Sequence, residues 1–334
     1  MGRIAVFGAG AMGTAVAMHL ARAEHDVVLW ASEFDTRVLE ILQTEGRHPA
    51  LPEHLPESLR LLGPDRLNEA AAGIDLAIMA ANSSGARSLG RVVREGCDVP
   101  PIVAAIAKGL EPDSGRRMSE VYAEELGTAR VVSMGGPCLA AEIAQDLPTA
   151  AVFASSVHDA ALATADAFRS ESFMAEVTDD VVGLEYCTVA KNVAAIGLGV
   201  LDGLGKAAGF AYRNAKAALF SLAVAELADL IVALGGRKET AQGLAGLGDT
   251  LVTSLGGRNR LYGELIGEGA EPGAALDQLV ERGMTVEGVE SAVDVARLAE
   301  NAGVHMPFHD QVSRVLFDGA PAASLLRLPE RMRK

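Results

Sequence analysis

Residues 3–22 read RIAVFGAGAMGTAVAMHLAR. A short apolar run, Arg3–Phe7, stops at a glycine, and the pattern beyond Gly13 has the spacing of a helix. Buried parallel strands read as continuous apolar runs of this kind. Between the two elements, Gly8-Ala9-Gly10-Ala11-Met12-Gly13 fits G-x-G-x-x-G. In that motif the first glycine permits a tight turn, the second lets a pyrophosphate approach the backbone, and the third lets the helix pack closely on the strand. The helix N-terminus favours the phosphate charge. The reading is a dinucleotide-binding β-turn-α unit at the start of the chain.

Working outward, strand patterns recur at 26–33 (DVVLWASE), 74–80, 102–107, 130–134 and 149–154, with helical patterns between several of them. Alternation of this kind predicts a doubly wound parallel sheet. The stretch 44–64, rich in Pro and Glu, reads as loop. From 183 to 234 the chain is Ala/Leu-rich with helical period, and from 238 onward helical stretches alternate with glycine loops. The expected architecture is therefore α/β: a Rossmann-like domain over 1–182, then an all-helical domain over 183–334 that binds substrate. The basic tail RLPERMRK is expected to fray.

Composition narrows the function. Of 334 residues 49% are hydrophobic but only 4% aromatic, so the core must be built from Ala, Val, Leu and Ile. A net charge of -15 opposes nucleic-acid binding. It also makes any cation in apolar surroundings conspicuous. The three cysteines, Cys97, Cys138 and Cys187, match neither zinc spacing nor a disulfide framework. They indicate reduced thiols in a cytoplasmic protein without a metal. There is no signal-peptide pattern and no stretch of 18 uninterrupted apolar residues, so no stable membrane insertion is expected.

Several polar residues stand out against this background. Lys108 ends the strand at 102–107, the edge where open α/β sheets bind ligands. Gly136 and Cys138 lie in a glycine–proline turn leading to a helix at Ala140. Lys191 and Asn192 interrupt the apolar run AKNVAAIGLGVLDGLG, 190–205. A lysine there either snorkels to solvent or projects into a cleft, where it can act as a general base. Asp249, Thr253, Arg258 and Asn259 share a glycine-rich segment, and the guanidinium fork of Arg258 suits a phosphate. At the end of the second strand, Glu33 or Asp35 could serve the ribose hydroxyls of NAD. No arginine follows Trp30 directly to favour NADP.

Together these segments resemble the NAD(P)-dependent glycerol-3-phosphate dehydrogenases of the bacterial type, over nearly the whole chain. The likeness rests on GAGAMGTAVA, AKGLE (107–111), GPCLAAEI (136–143), AKNVAAIGLGVLDGLG, NAKAAL (214–219), GLAGLGD (243–249), RNRLYG (258–263), VEGVESA (286–292) and MPF (306–308). The resemblance implies Lys191 as proton acceptor, with Lys108 and Asp249 assisting. It implies substrate contacts from Lys108, Gly136, Cys138, Lys191, Asn192, Asp249, Arg258 and Asn259. Cofactor contacts would come from Gly8, Gly10, Ala11, Met12, Gly13, Ser32, Lys108, Ala140, Arg258 and Glu287. NAD is the expected cofactor, with NADP possible, and a homodimer the expected state.

The departures from the family pattern are local. Met12 stands where tryptophan is usual, Cys138 where serine is, and Ser32 where arginine or histidine is. Gly257 replaces the serine before Arg258, and the loop from Asp249 to Arg258 is shorter. The segment KAAGFAYR is longer and adds Lys206, Tyr212 and Arg213. Another phosphorylated polyol is the alternative substrate. A dinucleotide-binding sensor without catalysis is disfavoured by the retention of Lys108, Lys191, Asp249 and Arg258.

Overall fold

A computed structural model describes residues 2–112 and 114–330, with backbone only for 328–330. Residues 331–334, half of the tail expected to fray, lie outside the described residues. The chain forms two compact units, Met1–Val181 and Val182–Lys334.

The first unit is built on one eight-stranded sheet of order β3-β2-β1-β4-β5-β6-β7-β8. Its strands are β1 (Arg3–Phe7), β2 (Asp26–Trp30), β3 (Arg60–Leu62), β4 (Leu76–Met79), β5 (Val103–Ala105), β6 (Val131–Gly135), β7 (Thr149–Ala154) and β8 (Phe173–Thr178). Side chains alternate across the sheet. Ile4, Val6, Val27 and Leu29 enter one core, while Ala5, Phe7, Val28 and Trp30 enter the other. Both faces are buried, which is why the strands read as unbroken apolar runs. The strand order reverses at β1, which pairs with β2 on one side and β4 on the other. Ligands bind at such a switch point, beyond the carboxyl ends of the strands.

Three details differ from the sequence expectation. β3 lies within the stretch read as loop, because three residues are too few to show a period and their pairing with β2 is long-range. β8 was not foreseen. It pairs with β7 and buries Phe173 against His19 and Phe168. β7 runs antiparallel to β6, so the sheet is parallel except at that pair.

The second unit contains no strand among the described residues. Its first helix, Val181–Ala208, is long and apolar enough to cross a membrane, yet 89% of its apolar window is buried inside the protein. That is the burial of a core helix. The run read as helical over 183–234 breaks at 209–212 and resumes as Arg213–Ala233.

The glycines of Val181–Ala208 have a packing reason. A Cβ on Gly199 would lie 2.2 Å from the Arg260 carbonyl oxygen, and one on Gly203 2.0 Å from that of Glu264. Reciprocally, a Cβ on Gly263 or Gly267 would strike the Ile196 or Val200 carbonyl oxygen at 2.0 or 2.2 Å. The helices Val181–Ala208 and Arg258–Gly267 therefore cross with backbones in contact. This crossing sets Arg258 and Asn259 beside the helix that carries Lys191 and Asn192.

Candidate active site

In the first unit the glycine motif is a strand–turn–helix. Gly8 follows β1 with φ +117°, and its N–H donates to the Trp30 carbonyl at 2.9 Å. Ala11–Arg22 is the helix that follows. A Cβ on Gly13 would lie 2.3 Å from the Gly8 carbonyl oxygen, so only glycine allows this helix so near the strand. A Cβ on Gly10 would meet nothing within 4 Å. The turn is thus open where a pyrophosphate has to approach, and closed where helix meets strand. The residues present fit a dinucleotide. Ala11 and Met12, both partly buried, start the helix against the core.

The end of β2 is tied to this turn. Asp35 Oδ2 accepts the Ser32 hydroxyl at 2.7 Å, the Ser32 N–H at 3.0 Å and the Ala9 N–H at 3.4 Å. Glu33 is exposed instead. His48, from the stretch read as loop, is buried beside the turn. Burial pushes its imidazole below the ordinary value, opposed by the Ala9 backbone and the Asp35 carboxylate. Nothing in the spacing of the sequence marks His48.

At the far side of the same sheet edge, Lys108 Nζ donates to the Gly136 carbonyl at 3.0 Å. The segment carrying Lys108 is anchored by Glu111, whose carboxylate takes two bonds from Arg87, at 2.5 and 2.9 Å. The Arg87 guanidinium lowers the Glu111 carboxyl to about 2. Cys138 is buried and its thiol donates to the Ala150 carbonyl at 3.3 Å. Ala140 opens the short helix Ala140–Ala144.

In the second unit Lys191 is buried, 6% exposed, and so is Asp249 at 1%. Lys191 Nζ donates to Asp249 Oδ1 at 2.7 Å and to Thr253 Oγ1 at 2.9 Å. Asp249 and Thr253 are one turn apart on the helix Asp249–Leu255, so both face Lys191. A buried ammonium would be very costly alone. Here it has a charge partner and a hydroxyl. It does not reach solvent by snorkelling.

Asn192 and Asn259 form the floor beside this pair. Asn259 Nδ2 donates to Asn192 Oδ1 at 3.0 Å, and Asn259 Oδ1 accepts the Gly288 N–H at 2.9 Å. Asn192 Nδ2 faces Ser291 Oγ at 3.4 Å. Both amides are buried, and they lock three helices in register. Arg258 is half exposed and turned elsewhere. It donates to Thr285 Oγ1 at 2.6 Å and pairs with Glu287 Oε1 at 3.3 Å. Thr285 and Ser291 carried no signal in the sequence.

The insertion is arranged differently. Lys206 is bound to Glu264 at 2.5 Å and Glu268 at 2.7 Å. It lines a cavity of about 530 Å³ with Asp202, Phe210, Tyr212, Arg213, Lys216 and Arg260.

A glycine turn at the switch point of a doubly wound sheet, together with a helical unit holding a buried lysine–aspartate pair, defines the class of nicotinamide-dependent oxidoreductases. The model for the N-terminus of NAD-dependent glycerol-3-phosphate dehydrogenase matches residues 3–161, and that for the C-terminus matches 180–327. The chain belongs to the NAD-dependent glycerol-3-phosphate dehydrogenase family. It is 37% identical over 319 residues to glycerol-3-phosphate dehydrogenase [NAD(P)+] of Thermoanaerobacter sp. (strain X514), covering 95% of this chain and 93% of that one. It is 31% identical over 334 residues to the NADP(+)-dependent glycerol-3-phosphate dehydrogenase of Archaeoglobus fulgidus, covering 97% of each. The crystal structure of glycerol-3-phosphate dehydrogenase from Coxiella burnetii superposes with a TM-score of 0.87 at 31% identity, over 100% of this chain and 99% of that one.

Proposed function

We propose that this protein interconverts sn-glycerol 3-phosphate and dihydroxyacetone phosphate with NAD(H), accepting NADP(H) as well. The observation that carries the reading is the buried cluster of Lys191, Asp249 and Thr253. When bound, the nicotinamide accepts or supplies the hydride at C2. In oxidation Lys191 Nζ, as the neutral amine, takes the proton of the C2 hydroxyl and becomes the ammonium; in reduction the ammonium returns it. Asp249 holds the ammonium in place and balances its charge. Thr253 Oγ1, which donates to the Asp249 backbone carbonyl at 2.6 Å, fixes a second direction at Nζ. Arg258 holds the substrate phosphate, with Asn259 behind it. The departures at Cys138 and Gly257 alter groups assigned to the substrate, not the acid–base pair.

A second reading keeps the chemistry and changes the substrate to a longer phosphorylated polyol. The cavity walled by the insertion favours it. The ion pairs of Lys206 favour the first, because two carboxylates at 2.5 and 2.7 Å hold that cation, against the one 3.3 Å contact of Arg258 with Glu287. Oxidation of NADH followed across dihydroxyacetone phosphate and phosphorylated tetruloses decides between them. A kcat/KM higher for a tetrulose phosphate overturns the first reading, and no turnover with any ketose phosphate overturns both.

The functional domains in this reading are dinucleotide binding over 1–182 and substrate binding over 183–334. The protein acts in the cytoplasm as a homodimer. The three cysteines, none of them in a disulfide, support a reducing compartment, and the exposed Leu251 and Leu255 of the helix Asp249–Leu255 support self-association. A monomer mass by light scattering at micromolar concentration overturns the dimer.

A further inference from the structure

Lys108 stands on a segment without regular structure, between the end of β5 at Ala105 and the helix Met118–Leu126. Much of the hydrogen bonding of this segment is internal. Leu110 and Arg117 form an isolated antiparallel bridge. The Glu111 N–H donates to the Arg116 carbonyl at 2.8 Å, and the Gly115 N–H donates to the Glu111 carbonyl at 2.9 Å. These bonds hold the segment to itself, so its position at the sheet edge needs a further tie.

That tie comes from the start of the helix Ala86–Gly96. Gly109 has φ +150°, and a Cβ on it would lie 3.1 Å from Ser83 Oγ, in the short turn Ser83–Gly85 that leads into this helix. One turn on, Arg87 grips the segment. Its Nε donates to Glu111 Oε1 at 2.5 Å and its Nη2 to Glu111 Oε2 at 2.9 Å. Its Nη1 donates to Glu125 Oε1 at 2.5 Å, and Nη2 also reaches Glu124 Oε2 at 3.3 Å. Arg91 pairs with Glu125 and Arg116 with Glu124, so the carboxylates of the cluster are balanced by cations. The helices Ala86–Gly96 and Met118–Leu126 touch here, since a Cβ on Gly90 would lie 3.0 Å from the Glu125 Cβ. Exposed ion pairs contribute little. The Arg87–Glu111 pair is a sheltered two-point fork, with side chains 24% and 13% exposed, and a fork of that kind fixes a geometry.

We propose that Arg87 is a positioning residue for the dehydrogenase reaction: through Glu111 it sets where the Lys108 ammonium stands. This rests on the proposed reaction, with Lys108 meeting the substrate as the family resemblance implies. Arg87 itself lies on a helix behind the segment and acts through the backbone between Glu111 and Lys108. Lys108 is half-buried, and its Nζ donates to the Gly136 carbonyl at 3.0 Å. With Glu111 released, the segment keeps its internal bonds but is free to shift as a unit, and the ammonium shifts with it. A misplacement of about 1 Å at a reacting group can cost about 10²-fold in rate.

The test is a double-variant cycle on the intact protein. Reduction of dihydroxyacetone phosphate by NADH is followed for the wild type, Arg87→Ala, Lys108→Ala and the two combined, in single turnovers where the steady rate is too low. Calorimetric titration with ADP-ribose, which lacks the nicotinamide, reads the dinucleotide turn separately. Arg87→Ala should lower kcat by about tenfold to a hundredfold and leave ADP-ribose affinity within about twofold. With Lys108 already replaced, Arg87→Ala should change kcat by less than about twofold, because no ammonium is left to misplace. Arg87→Lys should recover only part of the loss, as a point charge cannot reproduce the fork. Glu111→Gln, which leaves Arg87 on Glu125, should lower kcat in the same way and fall equally silent beside Lys108→Ala; it decides the matter if Arg87→Ala does not fold. Equal losses with and without Lys108, the outcome of a purely structural role, overturn the proposal. So does a kcat unchanged in both Arg87→Ala and Glu111→Gln, or a loss of ADP-ribose affinity that matches the loss of kcat. A Lys108→Ala enzyme within twofold of wild type removes Lys108 from the reaction and this proposal with it. No turnover of any ketose phosphate by the wild type overturns the reaction itself, and the positioning role falls with it.

Discussion

Lys191 and Asp249 form an ion pair of 2.7 Å with both side chains buried, 58 residues apart in the chain. Each makes the other tolerable in an apolar interior. A buried pair adds little net stability, but removing one partner leaves an uncompensated charge. Asp249→Asn should therefore lower stability by about 3–5 kcal/mol. Thermal or urea unfolding measures it, and a loss under 1 kcal/mol would show that the pair is not structurally coupled.

The chemical role separates from the structural one in a double variant. Lys191→Ala should reduce kcat by about 10²–10⁴, the usual contribution of a positioned acid–base group. Lys191→Met with Asp249→Leu should recover stability relative to Asp249→Asn, because no charge is left buried, and should remain inactive. If the double variant turns over within tenfold of wild type, the proton has another acceptor.

Arg258→Ala should lower kcat/KM by at least about tenfold, since a charge-assisted hydrogen bond contributes about 1.5–3 kcal/mol. Part of the loss should fall on kcat, because binding energy at the phosphate helps to orient the reacting carbon. Arg258→Lys should restore only a fraction, as a point charge cannot reproduce the fork. Steady-state kinetics that stay within twofold for Arg258→Ala and collapse for Arg213→Ala would place the phosphate at the insertion.

Gly199→Ala tests the helix crossing. The new methyl would lie 2.2 Å from the Arg260 carbonyl oxygen, so the helices must separate. Overpacking of this kind costs about 1–3 kcal/mol. The shift should also displace Arg258 and raise KM for the phosphorylated substrate more than KM for the dinucleotide. A KM effect confined to the dinucleotide would contradict this placement.

Acid stability should fall in two stages. Burial lowers the His19 and His48 imidazoles from 6.5. In both, the unfolded chain binds the proton first, so stability is full above pH 6.5 and declines as pH falls from there through the lowered values. Glu111, held down by Arg87, goes from 4.5 to about 2. Its contribution is present above pH 4.5 and is lost as pH falls toward 2. Chemical denaturation across pH 4–8 should show the first slope, flattened in His48→Gln. An unchanged slope in that variant would remove His48 from the account.

Much was legible in order along the chain. The glycine turn could be read because its three glycines each answer a local need: a left-handed turn at Gly8, open space at Gly10, a close helix at Gly13. Lys191 could be singled out because a charge inside an apolar run is improbable without a purpose. What was not legible depends on partners distant in sequence. β3 exists because β2 offers an edge to three residues that show no period by themselves. Asp249 as a residue that holds Lys191 was one of two roles the sequence offered for it, and the structure shows that contact; Asn259 as the partner of Asn192 is a pairing that no spacing encodes.

The sequence by itself determined the class of fold and the chemistry, because turns, periodicity and out-of-place charges are properties of neighbouring residues. Only the tertiary structure decided which carboxylate is tied to the glycine turn. Glu33 and Asp35 are equivalent in sequence, two positions apart at the end of β2. One points to solvent and the other is pulled onto the Ala9 and Ser32 amides, because the short helical turn Glu33–Asp35 puts its third residue over its own N-terminus. The glycines of 190–205 follow the same division. Their number is a fact of sequence, but the cause of Gly199 and Gly203 is the backbone of the helix Arg258–Gly267, more than fifty residues away, while Gly197 makes room for Val312 and Phe308.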